Sequence, residues 1–560
     1  MSDINSRQIV LEYHERTKHH FHRFAPSLGY LDWETQPNPF RRFNGARRYR
    51  LAVPEDDSTP AYDHLYRAEV PTASVTTDTL SLFFYYSMSL SAWKQHGGSR
   101  WSLRVNPSSG NLHPTESYLL IHPVDGLRPL PAVYHYAPRE HELECRAEFE
   151  EDSWRRLTAG LPPHSFFVGL SLIAWREAWK YGERAYRYCQ HDAGHALGSL
   201  RFAAALLGWR LRLMPEVPDT LIGQLIGLDR VDAAHRGEPE WPHMLMLVDP
   251  VAGLFPPPVP ESRDAAMARP SLVLPRHWHG RANRLSPDHH PWAVIDQVET
   301  ACRQPADHAA CRSDPSQQDV PSGVLPGSTT AFTAGKIIRQ RRSALAFDGQ
   351  NGISKAAFLR MMSVVLPSRA VSPWDAIPWP PRVHLALFVH RVEGINAGLY
   401  VLVRNKEQRQ ELQQAMNPDF EWQNTPELSY DLPLFLLAKS DLTHVASRVS
   451  CHQDIAGDGA FSLGMLACFQ PMIERYGATA YRQLFWETGL IGQVLYLEAE
   501  AVGRRATGIG CFFDDPVHDL LGLKDRRFQS LYHFTVGQPI EDTRLRSWPA
   551  YGSEQCFEGT

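Results

Sequence analysis

Four segments of the 560-residue chain carry residue types that could do chemistry together. Arg104-Val105-Asn106-Pro107-Ser108-Ser109-Gly110-Asn111-Leu112-His113-Pro114 contains a turn that exposes backbone amides and short hydroxyls. Such a turn suits hydrogen bonding to the edge of a flat heterocycle or to phosphate, and it also suits a tight helix-to-strand connection. Arg339-Gln340-Arg341-Arg342-Ser343 sets guanidinium groups beside a hydroxyl. Arginine offers paired donors to phosphate oxygens, although a solvated basic helix face has the same composition. Thr507-Gly508-Ile509-Gly510-Cys511-Phe512 has glycines that let backbone pass close to a ligand, or simply into a strand. Lys180-Tyr181 sets two titratable groups side by side at a helix start, a pair that also packs its stem.

The elements that must position these residues alternate strand and helix, which implies a mixed α/β or an α+β fold. Thr79-Leu80-Ser81-Leu82 opens a helical stretch, and Ser117 to His122, between Pro114 and Pro123, reads as a buried strand. Glu183 to Leu207 reads as a long helix, apolar on several faces and therefore central, that Gly208 stops. A second strand is expected at His384 to Val389 and a second long helix at about Ala480 to Val502.

These paired elements belong to a repeat. Tyr181-Gly182-x-x-Ala185-Tyr186-Arg187 recurs as Tyr476-Gly477-x-x-Ala480-Tyr481-Arg482, an offset of 295 residues. Gly194 maps to Gly489, Gly208 to Gly503, and Gly227-Leu228 to Gly522-Leu523 without a gap. Short-repeat arrays have periods of about 20 to 50 residues, so this one implies two domain-sized units, as in a homodimer fused into one polypeptide. The expected organisation is an N-terminal arm (1–78), copy one (79–250), a Pro-rich linker (251–330) and copy two (331–560). Phe255 to Pro260 and Ser313 to Gln318 are the linker's least packable stretches.

Composition narrows the function classes. Hydrophobic content of 43% and charged content of 21% suit packed cores. A net charge of −5 leaves no basic field for nucleic acid. No apolar run reaches membrane-spanning length, and the polar first residues give no secretory signal, so a cytoplasmic protein with free thiols is expected. The eight cysteines form no C-x-x-C pair. His191-x-x-x-His195 has helical metal spacing, but Asp192 stands where a zincin motif needs Glu. A polar pair on the helix is the expected reading, and no metal site is expected. His14, His19, His20 and His22 read as part of a surface arm. Glu183 and Arg184 read as a helix-start ion pair, Asp514-Asp515 as a turn or cap, and Cys511 as a small packed residue.

Taken together, the segments at 104–114, 180–187, 341–343 and 508–512, with Asp542-Thr543-Arg544-Leu545 and Pro549-Ala550-Tyr551 near the end, resemble the nitroreductase-fold FMN enzymes. Among these the resemblance is to the SagB-type, azoline-dehydrogenase-like branch. It implies two nitroreductase-like copies forming a pseudo-dimer within one chain, with further homo-oligomerisation open. In the family, FMN sits at the subunit interface. One subunit gives the Arg-x-Ser contacts and the glycine turn, and its partner gives the Pro-Ser-Ser segment.

Here the half-motifs are complementary. Copy one keeps Pro107-Ser108-Ser109 and Lys180-Tyr181, while its glycine turn reads Leu213-Met214-Pro215-Glu216-Val217. Copy two keeps Arg341-Arg342-Ser343 and the glycine turn, but reads Ile377-Pro378-Trp379-Pro380-Pro381-Arg382 where Pro-Ser-Ser would stand. The resemblance therefore implies one composite FMN site. Arg104, Pro107, Ser108, Ser109, Gly110, Asn111, Arg341, Arg342, Ser343, Gly508, Ile509, Gly510, Cys511 and Arg544 would bind the cofactor. Arg341, Ser343 and Arg544 would take the phosphate, and Lys180 and Tyr181 would be catalytic. The implied activity is hydride transfer through flavin N5, in this branch from an azoline or related heterocycle on a small molecule or peptide. Two alternatives stand beside it: an NAD(P)H-dependent nitro or quinone reductase, and a non-catalytic flavin-binding or assembly protein.

Overall fold

The structure, a computed structural model, describes residues 3–67, 69–230, 238–250, 274–275, 277–304, 327, 330–367, 371–424 and 432–552. The linker stretches 255–260 and 313–318 lie outside the described residues, as do Cys311 and Cys556.

Two seven-stranded sheets dominate. The first runs in the order Arg47–Arg50, Glu142–Glu148, Ala132–Ala137, Thr115–Ile121, Phe166–Leu172, Trp241–Asp249, Arg210–Leu213. The second runs Gln423–Asn424, Leu434–Lys439, Gly398–Leu402, Val383–Val389, Phe461–Cys468, Phe528–Gly537, Arg505–Ile509. All their ladders are antiparallel. Six strands follow one plan in both sheets; only the first edge strand differs in origin. Each sheet carries one long core helix, Ala185–Leu206 or Thr479–Ala501, close to the limits expected from sequence. Gly208 and Gly503 follow these helices with positive φ of 66° and 68°, which a side chain would resist.

The core helices cross each other, and equivalent residues meet. A Cβ on Gly194 would lie 2.9 Å from the Cα of Gly489, and the reverse distance is also 2.9 Å. Each glycine faces a carbonyl of the opposite helix, that of Trp486 or of His191, which are again 295 apart. Glycine is needed at both places because backbone occupies the space. The ion pairs are reciprocal as well. Arg187 of copy one binds Asp514 of copy two at 2.8 Å, and Arg482 of copy two binds Asp219 of copy one at 2.8 Å. Such i-to-j and j-to-i pairing is the property of an isologous twofold interface. The chain is an intrachain pseudo-dimer.

The arm is built into this seam. Its helix, Asp3–Arg16, puts Tyr13 edge-on to both Tyr186 and Tyr481, at 5.9 and 6.2 Å. Those two tyrosines are equivalent by the repeat, so Tyr13 lies near the pseudo-axis. His14 and His19 are buried there, not displayed on a surface arm; His14 packs on Phe469 at 4.3 Å, and the His19 amide donates to Asp514. Glu183 pairs with Arg16 and Arg184 with Asp514, which corrects the reading of 183–184 as one ion pair. Inside the expected linker, residues 281–282 pair with Phe43–Asn44, and Ala293–Cys302 is a helix with buried Val298, Ala301 and Cys302. At the far end, Arg546–Trp548 of copy two joins the hairpin Leu90–His96 and Ser99–Arg104 of copy one. Among the described residues, no helix is long and apolar enough to cross a membrane.

Candidate functional site

A cavity of about 400 Å³ lies at the seam, within the usual size of a small-ligand site. Arg104, Pro107, Ser108, Ser109, Gly110 and Asn111 line it from copy one; Arg341, Arg342, Ser343 and Gly508 line it from copy two. The two halves of the motif thus share one cavity.

The copy-one wall is a strained turn. Gly110 has φ 58°, and the non-glycine residues Asn111 and His113 have φ 61° and 51°. Left-handed backbone costs a non-glycine residue roughly 1–3 kcal/mol and persists only where surrounding structure enforces it. Here Asn111 donates to Ser102 O at 2.8 Å, and the His113 amide donates to Ser108 Oγ at 2.8 Å. The Ser109 amide and hydroxyl both donate to Asp192, at 3.0 Å. A side chain at Gly110 would strike the Tyr181 hydroxyl at 2.7 Å and the Lys180 stem at 3.2 Å, so Lys180 and Tyr181 support the turn from behind.

The copy-two wall carries Arg341, Arg342 and Arg505 together with Glu541 and Asp542, and Arg505 pairs with Glu541 at 2.7 Å. Arg341 is buried, with its guanidinium 5.0 Å from the Tyr496 ring centroid and one bond to Arg104 O at 3.3 Å. Its Nε and Nη1 have no partner among the described residues. Burial pushes its pKa down, and burial together with Arg341 and Arg339 pushes Arg342 down to about 9. Lys94 also lines the cavity. Buried guanidinium groups this poorly compensated suit an anion, and a phosphate would give the two orphaned nitrogens acceptors. Ser343 Oγ shares a 2.9 Å bond with Tyr496, whose hydroxyl accepts the Gly508 amide at 3.1 Å. The chemistry of this donor set fits a monophosphate such as that of FMN.

Not every expected residue is in the cavity. Arg544 points away: its side chain is 75% exposed and binds Asp542 at 2.8 Å, because an acidic neighbour two residues back captures it in the turn. Ile509 is buried in the core, Gly510 packs against the Tyr188 ring, and Cys511 lies beside Cys451. Of the Thr507–Phe512 segment, Thr507 and Gly508 reach the cavity wall. Lys180 is exposed and not desolvated, with its ammonium 5.3 Å from the Tyr181 ring centroid. The Tyr181 pKa is raised well above its ordinary value by burial and then by Glu177.

Sequence reasoning missed two carboxyls. Asp192 lines the cavity, and Glu177 lies fully buried beside it, 3.4 Å from Ser108 Oγ. Burial raises both pKa values; Asp192 reaches about 7, and the like charge of Asp192 adds to the rise at Glu177. One signal was legible, an acidic residue inside a long helix that reads as central. A raised folded pKa means that the native state keeps a proton that the unfolded chain releases above its value of 3.8. Stability should therefore fall as pH rises from about 4 to 7. Asp192→Asn should flatten that slope, checked by urea midpoints across the range. A slope unchanged in the variant would mean that Asp192 ionises normally.

His191 and His195 form no metal site. His191 Nδ1 is 3.0 Å from Thr488 Oγ1 and its ring stacks on Tyr532, while His195 Nε2 is 3.3 Å from the Tyr532 hydroxyl. Among the described residues no group of three metal-binding side chains occurs.

At the pseudo-symmetric position, protein side chains do the filling. Arg201, the counterpart of Tyr496, makes a two-point ion pair with Asp375 at 2.8 Å, and Trp374, Ile377 and Trp379 of the same segment as Asp375 are buried. The Arg382 amide donates to Glu487 as the Ser109 amide donates to Asp192, so the Pro380-Pro381-Arg382 stretch occupies the mirror of the Ser-Ser turn.

Residues 338–538 match the nitroreductase family. The chain is similar in structure to a proposed nitroreductase from Anabaena variabilis, with 20% identity and a TM-score of 0.66, over 95% of this chain and 99% of that one. It also matches the McbBCD microcin synthetase complex of E. coli with truncated pro-MccB17 bound, with 20% identity and a TM-score of 0.27, over 45% of this chain and 94% of that one. A proposed nitroreductase from Ralstonia eutropha is 16% identical with a TM-score of 0.26, over 40% of this chain and 96% of that one. No curated protein matches in sequence. The fold is the nitroreductase fold, α+β, present as two tandem copies.

Proposed function

We propose that the chain is an FMN-dependent oxidoreductase with one composite flavin site, in the manner of the SagB-type, azoline-dehydrogenase-like enzymes. The observation that carries this reading is that the Pro107–Asn111 turn of copy one and Arg341–Ser343 of copy two line a single cavity. Arg341, Arg342 and Ser343 would hold the phosphate, with Arg505 and Lys94 adding positive field. Ser108, Ser109 and Asn111 would meet the ribityl chain or the ring. When bound, FMN supplies a hydride acceptor or donor at N5. The substrate is proposed to be a heterocycle on a small molecule or peptide, and the setting cytoplasmic. The duplicated architecture is proposed to descend from a fused homodimer in which one of two sites was lost.

The chain's own residues supply the proton chemistry. Lys180 and Tyr181 sit behind the Ser109–Asn111 turn, and Lys180 has open access to solvent. Lys180 would take or relay the proton that leaves as the C–H bond is oxidised, with Tyr181, held neutral by burial, packed beside it at 5.3 Å from ring centroid to ammonium. Asp192 fixes Ser109, and burial disfavours negative charge on both Asp192 and Glu177 beside the cavity.

Lys180→Ala should leave flavin bound and lower turnover by roughly 10²–10⁴-fold. Loss of flavin instead would make Lys180 a structural residue. The purified protein should bind FMN and bleach slowly with NADPH under anaerobic conditions. Rapid bleaching would favour a nitro or quinone reductase, and a colourless protein that rejects added FMN would favour an assembly role.

A further inference from the structure

Beside the glycine turn, two cysteines from different segments of copy two face each other. Cys511 follows the strand Arg505–Ile509, and Cys451 follows the helix Thr443–Val449; their Sγ atoms are 2.8 Å apart. Both are half-buried, so small solutes reach them, whereas Cys145, Cys189, Cys302 and Cys468 are buried. The approach is held from several sides. Gln453 Nε2 donates to Ser450 O at 2.8 Å and to Cys511 O at 3.0 Å, bridging the two segments. The Phe513 amide donates to Val449 O at 2.8 Å, and Arg184 donates to Gly510 O at 3.1 Å. Backbone fixed on both flanks holds the two sulfurs close together.

We propose that Cys451 and Cys511 are a reversible dithiol–disulfide pair, a modification site for peroxide-class oxidants. The contact with Cys451 lowers the Cys511 pKa, and the positive charge of Arg184 works in the same direction against burial; the Cys451 pKa is raised. Because Arg184 is anchored on the carbonyl of neighbouring Gly510, we assign Cys511 as the attacking sulfur and Cys451 as the resolving one. The Cys511 thiolate attacks one peroxide oxygen, an S–O bond forms, the O–O bond breaks and hydroxide leaves. The Cys451 thiol then loses its proton and attacks the sulfenyl sulfur, forming S–S as the oxygen departs as water. Two electrons pass from the sulfurs to peroxide, and two thiols with one hydrogen peroxide give one disulfide and two waters. A thiol that oxidises in a reducing compartment is a sensing or regulatory one. The bond would clamp the 508–512 turn to the Cys451 segment whether or not the cavity takes flavin.

The test is peptide mapping of the full-length protein after limited hydrogen peroxide and alkylation of the remaining thiols. The expected product is one peptide pair linked through Cys451 and Cys511, released by dithiothreitol. In Cys451→Ser, Cys511 should stop at the sulfenic acid and take up dimedone. Overturning results are alkylation of both residues in peroxide-treated wild type, a dimedone adduct at Cys511 of wild type without the cross-link, or a link from either residue to another cysteine. The wild-type map decides the matter even if the variant fails to fold.

Discussion

Arg341→Met should strip the protein of flavin while leaving the ligand-free fold as stable as before, or more so. The two halves of this expectation have one cause. Arg341 is 4% exposed, and two of its three guanidinium nitrogens have no partner among the described residues. A buried cation in that state is a cost to the fold, and replacing it with an apolar side chain of similar length removes the cost. A bound phosphate would satisfy both nitrogens through charge-assisted hydrogen bonds of roughly 1.5–3 kcal/mol each. Losing two of them corresponds to roughly 10²–10⁴-fold in affinity. Arg404 is the control: it is equally buried but binds Glu487, Val365 O and Val383 O, so Arg404→Met should lower the melting temperature. Fluorescence titration with FMN and thermal melts of the apoprotein check both. If Arg341→Met melts well below wild type without flavin, the arginine serves the fold and not a ligand.

The second large effect lies in the seam. Asp514→Ala should destabilise the protein by about 3–5 kcal/mol, because it leaves Arg184 and Arg187 buried without their carboxylate. The His19 amide loses its acceptor as well, which loosens the arm. Asp219→Ala, the pseudo-symmetric change, removes the partner of one arginine, Arg482, and should cost less. Burial alone would raise the Asp514 pKa, but Arg184 and Arg187 outweigh it and hold the carboxyl well below its ordinary value of 3.8. Its contribution is therefore complete above about pH 4 and is lost as pH falls below that. Urea midpoints at pH 7 and pH 3 measure this. Equal midpoint losses for the two aspartate variants would contradict the unequal loads assigned to them.

Much of this was legible in the sequence because duplication writes structure twice. The 295-residue offset located both core helices, and equivalent glycines 194 and 489 prove to be the point where the helices touch. The half-motifs at 107–111 and 341–343 could be paired because each was intact in only one copy, and they line one cavity. What stayed hidden were tertiary partners far apart in the chain. Nothing near residue 184 announces Asp514, and nothing near Asp375 announces that Arg201 will meet it. Helical arms rich in histidine look solvated when read alone; His14 is buried because two copies leave a groove at their axis that its helix fills. Arg544 was misread for the opposite reason: a local acidic neighbour outcompetes a distant site. The raised carboxyl pair escaped notice because burial, not residue type, creates it.

The asymmetry of the two seam positions has a direct consequence for composition. One is an open cavity with orphaned cationic nitrogens in its wall, and the other holds the Arg201–Asp375 ion pair. The decisive measurement is the amount of FMN released by denaturing protein reconstituted with excess cofactor and freed of the excess, counted per polypeptide. One FMN per chain is the expected value, falling toward zero in Arg341→Met. Two per chain would show that the mirrored position also binds, and none would remove the flavin from the seam altogether.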